Sequence, residues 1–133
     1  MNDFKFFAPT EVTFGKKSTE KTGEVARKYG TRALLVYGGG SVVKSGLLSE
    51  IKSSLEDAGI SFDEFGGAKP NPTLSHAEEG VKKALEFKAD LIIGVGGGSA
   101  IDTAKAIAHG SANPEHALWD IWTKRFLWRS PFR

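Results

Sequence analysis

Two apolar runs that each end in Gly-Gly-Gly-Ser constrain the fold of this chain more than any other feature. Ala33-Leu34-Leu35-Val36-Tyr37 leads into Gly38-Gly39-Gly40-Ser41, and Leu91-Ile92-Ile93-Gly94-Val95 leads into Gly96-Gly97-Gly98-Ser99. Uninterrupted apolar runs of this length read as strands buried on both faces, the pattern of a parallel sheet. Ile60 to Phe65 alternates instead, and ends at Gly66-Gly67. Between the runs, Leu47, Leu48, Ile51 and Leu55, then Ala77, Val81, Ala84, Leu85 and Ala89, recur at helical spacing. Strand, helix, strand, helix, strand with right-handed crossovers predicts an open, doubly wound α/β unit with a mainly parallel sheet. Ahead of it, Phe4 to Phe7 and Glu11 to Phe14 predict a short N-terminal β-hairpin around Pro9. Ser18 is a candidate N-cap for a helix over Thr19 to Tyr29, stopped by Gly30.

Composition narrows the function classes. The 133 residues contain no cysteine, which rules out disulfides and thiolate metal sites in this chain. No secretory leader is evident at the start, and no apolar run approaches membrane-spanning length, so a cytoplasmic protein is expected. The net charge of +2 comes from the end of the chain, where Lys124, Arg125, Arg129 and Arg133 stand without an acid. The preceding body carries no basic excess, so neither nucleic acid nor membrane is an expected partner.

Open α/β sheets bind ligands at the carboxyl ends of their strands. The two glycine runs therefore mark the candidate site. Glycine lets the backbone approach a ligand, and a helix beginning at Ser99 offers free N–H groups to a pyrophosphate. The other reading of the same glycines is a tight turn that needs φ > 0. Asp102 and Lys105 stand three apart, either as a helix ion pair or with Asp102 lining the cleft. Ile101, Ala104 and Ala108 would pack this helix on the sheet. The dinucleotide fingerprint is incomplete, since Gly94-x-Gly96-x-x reaches Ser99 where Gly or Ala is required. His76, His109 and His116 show no ligand spacing and read as surface or loop residues, so no metal site is expected in this chain.

Taken together, Gly96-Gly97-Gly98-Ser99-x-x-Asp102-x-x-Lys105-x-x-Ala108 resembles the signature of iron-containing (group III) alcohol dehydrogenases. Phe7-x-Pro9-Thr10 with Phe14-Gly15 is similar to that family's opening hairpin. Gly67-x-x-Pro70-Asn71-Pro72-Thr73 is similar to the loop after its second strand. Tyr37 to Gly46 resembles the NADPH-dependent butanol dehydrogenase branch.

The resemblance implies a Rossmann-like, dehydroquinate synthase-like nucleotide-binding domain over residues 1–123, incomplete here. In the family a helical domain follows it, holding iron or zinc through an Asp and three His. It implies hydride transfer between NADP(H) and a primary alcohol or aldehyde, in an enzyme that forms homo-oligomers. The expected cofactor contacts are Gly38, Gly39, Ser41, Asn71, Gly97, Gly98, Ser99 and Asp102; catalytic and metal-binding residues are expected outside this chain. NAD-selective relatives place an acid after the first strand, where this chain has Gly39, with Ser41 and Lys44 close by. Residues 124–133 depart from the family pattern, as a frameshifted or truncated reading frame would. A glycerol dehydrogenase or dehydroquinate synthase relative, or a non-catalytic nucleotide-binding remnant, stays open as an alternative.

Overall fold

The computed structural model describes residues 3, 5, 7–71 and 73–123. A 3-10 turn over Ser18–Lys21 leads into helix α1, Thr22–Ala26, and then strand β1, Arg32–Tyr37. Helices α2, Gly40–Lys44, and α3, Leu47–Asp57, carry the chain to β2, Ser61–Phe65. Helix α4, Leu74–Phe87, leads to β3, Leu91–Val95, followed by α5, Gly98–Ala112, and α6, Asp120–Thr123. The sheet is parallel with the order β2-β1-β3.

β1 is central because its side chains are apolar on both sides. Ala33 and Leu35 pack with Val42 of α2, Leu48, Ile51 and Leu55 of α3, and Ala26 of α1. Leu34 and Val36 point the other way, onto Ala84 of α4 and Ala104 and Ile107 of α5. All four β1 residues are fully buried. At roughly 25 cal/mol for each Å² of apolar surface removed from water, this strand is the main source of stability in the sheet. The helices flank both faces, as the alternating pattern predicts.

Small residues set the spacing between layers. A Cβ at Gly80 of α4 would strike the Ile107 side chain of α5, and one at Gly94 would lie 3.1 Å from Ala104 Cβ. α5 therefore sits directly on β3 and α4. Its inward face is Ala100, Thr103, Ala104 and Ile107. Ile101 is 43% exposed, so the packing face lies one residue away from that expected from Ile101 and Ala108.

The start of β1 is fixed by Asp90, one residue before β3. Its carboxylate accepts from the backbone N–H of Arg32 (2.8 Å) and of Thr31 (3.0 Å). Burial pushes the Asp90 pKa up. The donors at Arg32 and Thr31 outweigh it and hold the carboxyl below its ordinary value.

Three local expectations are corrected. Glu11 to Phe14 forms no strand; Val12 is 79% and Phe14 99% exposed, so the segment has no apolar face to bury against a ladder partner among the described residues. The other arm of the expected hairpin lies largely outside the described residues. Ser18 is not an N-cap: Lys17 precedes the 3-10 turn and supplies no side-chain cap. The expected helix over Thr19 to Tyr29 splits into the 3-10 turn and α1. Buried Gly23 there donates to Ser54 Oγ of α3 at 2.9 Å, which in turn donates to Glu20 O at 2.8 Å.

Candidate functional site: a crevice between two glycine turns

The strand order brings the two glycine runs together. The register pairs Tyr37 with Val95, so Gly38 and Gly96 leave adjacent strands at the same level. The chain leaving β1 passes to the face of α2 and α3, whereas the chain leaving β3 passes to that of α5. A crevice opens where neighbouring connections diverge in this way, and it is the ligand position in open α/β sheets.

The glycines of the crevice divide by what requires them. Gly96 has φ +129°, which a side chain rarely adopts, so this position answers to the turn itself. Gly39 and Gly97 are different. They precede α2 and α5 with extended backbone, φ −83° and −86°. A Cβ at Gly39, Gly97 or Gly98 would meet nothing within 4 Å. Neither backbone strain nor packing within the described chain calls for glycine there, and the space is free for a ligand to approach the main chain. No side chain caps α5, so the N–H groups of its first turn keep their capacity to bind an anion.

A third loop joins the crevice. Gly67 N–H donates to Gly38 O at 3.2 Å, and Ala68 N–H donates to Tyr37 O at 3.1 Å. These bonds lash the segment after β2 to the first glycine turn. Gly38 is close-packed here, with its Cβ position 3.1 Å from Ala68 O. Asn71 lies on the same loop in the left-handed region, φ 57°. Tyr37 closes over Gly66 and donates to Glu64 Oε1 at 3.4 Å; Lys52 holds the other Glu64 oxygen at 2.7 Å. Burial, then the Glu64 carboxylate, push the Tyr37 phenol pKa up.

Of the expected contacts, Gly38, Gly39 and Ser41 lie on one side of the crevice, and Gly97, Gly98 and Ser99 on the other. Asn71 belongs to the tethered loop. Asp102 is exposed in the first turns of α5 and forms no ion pair with Lys105. Lys44 stands one helical turn after Gly40, at the end of α2. Its Cε is 3.6 Å from the Cβ position of Gly40, so its stem folds back toward the start of α2. Two surface grooves lie elsewhere, one over Asp63, Lys83 and Phe87, the other over Val25, Tyr29, Leu91 and Ile93.

Two of the three histidines, His76 and His109, lie on helices and are less exposed than expected. His76 is in the first turn of α4, half-buried, with its ring stacked on Phe65 at 4.6 Å. His109 is half-buried on α5, and its Nδ1 is shielded from solvent. Helix packing, rather than loop position, decides both. Among the described residues, no group of three or more His, Cys, Asp or Glu side chains is placed to hold a metal ion. No described helix is long and apolar enough to cross a membrane.

Comparison with known proteins gives a consistent result. Residues 9–131 match the model of a family described as iron-containing alcohol dehydrogenase. The chain is 42% identical over 125 residues to a probable NADH-dependent butanol dehydrogenase of Bacillus subtilis, covering 94% of this chain and 32% of the relative. It is 38% identical over 122 residues to the NADPH-dependent aldehyde reductase YqhD of Escherichia coli, covering 92% and 30%. The crystal structure of NADH-dependent butanol dehydrogenase A from Thermotoga maritima superposes with a TM-score of 0.89 at 37% identity, over 98% of this chain and 33% of that one. The chain thus spans about a third of the length of these relatives.

Proposed function

The chain belongs to the iron-containing alcohol dehydrogenase family, and on that premise we propose that it forms the nucleotide-binding part of an oxidoreductase acting on a primary alcohol or aldehyde with NADP(H). The observation that carries this reading is the set of glycines at Gly39, Gly97 and Gly98, where nothing in the described chain fills the space a side chain would take. A dinucleotide pyrophosphate fits that cradle, against the uncapped first turn of α5. When bound, the nicotinamide supplies or accepts the hydride. The residues described here contribute binding and orientation. Gly97, Gly98 and Ser99 offer main-chain donors, Gly39 beside Gly38 admits the nucleotide closely, and Asn71 and Asp102 border the cleft.

NADP is preferred over NAD in this proposal. The names of the relatives include both cofactors, so the choice rests on residues at α2. Gly39 puts no carboxylate beside the ribose, and Lys44 folds back toward the same turn. The family name implies iron, but the described residues do not fit a metal, and no step of the reaction is assigned to one here. That same observation favours a second reading, a nucleotide-binding module without turnover of its own.

Titration calorimetry with NADPH and NADH tests the first reading. Tighter binding of NADPH is expected, with Gly39→Asp moving the preference toward NADH. Equal or reversed affinities in the unaltered chain would refute the cofactor assignment.

A further inference from the structure

Tyr37, the last residue of β1, holds the segment after β2 at two points. Its carbonyl accepts the Ala68 N–H at 3.1 Å. Its ring lies against Gly66, where an added Cβ would stand 2.8 Å from Cε2, too close for a real side chain. A Cβ is about 1.5 Å from its Cα, so the ring edge is within about 4.3 Å of the Gly66 main chain, which is van der Waals contact. Gly66 itself has no positive φ, so the ring rather than the turn is what requires glycine there. The phenol is aimed by charge. It donates to Glu64 Oε1 at 3.4 Å, and Lys52 Nζ holds the other carboxylate oxygen at 2.7 Å. Burial, then the Glu64 carboxylate, push the phenol pKa up, so the donor keeps its proton.

We infer that Tyr37 is a positioning residue for the crevice: its ring, anchored through Glu64 to Lys52, packs on Gly66 and so holds the loop whose Gly67–Gly38 and Ala68–Tyr37 bonds shape one wall. The clamp draws on three elements, since Lys52 belongs to α3, Glu64 to β2 and Tyr37 to β1. The loop is gripped on both sides of Gly67, by the ring at Gly66 and by the Tyr37 carbonyl at Ala68, and Gly67 N–H then reaches Gly38 O at 3.2 Å. Removing the side chain takes away the first grip and leaves the main-chain ladder of β1 in place. The effect on nucleotide binding rests on the proposed function; the effect on the loop does not. If the competent loop falls to about a tenth of the population, the apparent Kd rises about tenfold.

Amide hydrogen exchange and NADPH titration on the full chain test this, using Tyr37→Ala and Tyr37→Phe. In Tyr37→Ala, exchange at Gly67 and Ala68 should quicken about tenfold while Leu35 and Val36 keep their protection, and NADPH should bind about tenfold more weakly. Tyr37→Phe keeps the ring and should retain most of both. If the alanine variant does not fold, Gly66→Ala drives the ring off the loop and is expected to show the same losses. The phenol gives a second readout. In a Tyr29→Phe background Tyr37 is the only tyrosine. Its ultraviolet titration should then move down toward the ordinary value of about 10 when Gly66→Ala displaces the ring from Glu64. Unchanged exchange at Gly67 and Ala68 in a folded Tyr37→Ala or Gly66→Ala would overturn the inference. So would a phenylalanine variant no better than alanine, or a phenol titration that Gly66→Ala leaves where it was. If the unaltered chain binds no NADPH while exchange at Gly67 still depends on Tyr37, the proposed function fails and the positioning role stands.

Discussion

The same residue type does opposite things at different places in this chain. Gly98 begins α5 with no protein atom near its Cβ position, whereas Gly80 is pressed against Ile107 and Phe65. Gly98→Ala should keep or raise stability by about 0.5 kcal/mol, since alanine loses less backbone entropy in a helix. It should also weaken nucleotide binding, because the added methyl enters the cleft. Gly80→Ala should lower stability by about 1–3 kcal/mol, the usual cost of overpacking, and act on affinity only through folding. Urea melts of both variants, with and without NADPH, separate the two effects. That glycines mattered at the strand ends was legible in the sequence; which of them answer to the turn and which to a ligand was not. Gly96 has the positive φ of the tight-turn reading, while Gly39 and Gly97 do not. Only the surrounding atoms distinguish them. His76 was illegible for a similar reason, since its partner Phe65 lies on another element and no spacing links the two.

At the scale of elements, β1 depends on a carboxylate outside it. Asp90 satisfies the N–H groups of Thr31 and Arg32, which would otherwise lack partners at the strand's start. Because its folded pKa lies below the unfolded value of about 3.9, this contribution is complete above that value and fades as the pH falls through the folded pKa. Asp90→Asn should cost about 1 kcal/mol at pH 7, a figure reduced for the site's exposure to solvent. It should also flatten the decline in stability below about pH 4. Thermal melts of both proteins from neutral to acid pH check it; parallel curves would contradict it.

Strands β1 and β3 were legible because their apolar runs are short and end in glycine, which favours a buried strand over a buried helix. α2 was not: it has five residues, starts on glycine and buries only Val42. The strand expected over Glu11 to Phe14 did not form: Val12 and Phe14 stay exposed, so the segment buries no apolar face among the described residues.

The arrangement of the whole molecule follows from β1 being central and apolar on both faces. The order β2-β1-β3 sets Gly38 beside Gly96, a neighbourhood that no local pattern in the sequence encodes, although apolar strands and glycine ends made it one of few possibilities. Among the described residues β3 has a ladder partner on one side only, with Leu91, Ile92 and Ile93 half-buried. An unpaired apolar edge promotes association. Light scattering should therefore show the apparent mass rising with protein concentration; a monomer at all concentrations would mean the edge is shielded. The family resemblance implies metal ligands outside these residues, so an NADPH-linked butyraldehyde assay on the chain with iron or zinc added is expected to show no turnover. Activity abolished by a chelator and restored by metal would show that the catalytic group has been misplaced.

The crevice between the glycine turns is where nucleotide binding by this chain stands or falls. The decisive measurement is an NMR titration of the isotopically labelled chain with NADPH. Saturable shifts at Gly39, Gly97, Gly98 and Ser99, with a smaller response at Asn71, are the predicted result. Shifts confined to the basic residues 124–133, or none at saturating NADPH, would contradict it.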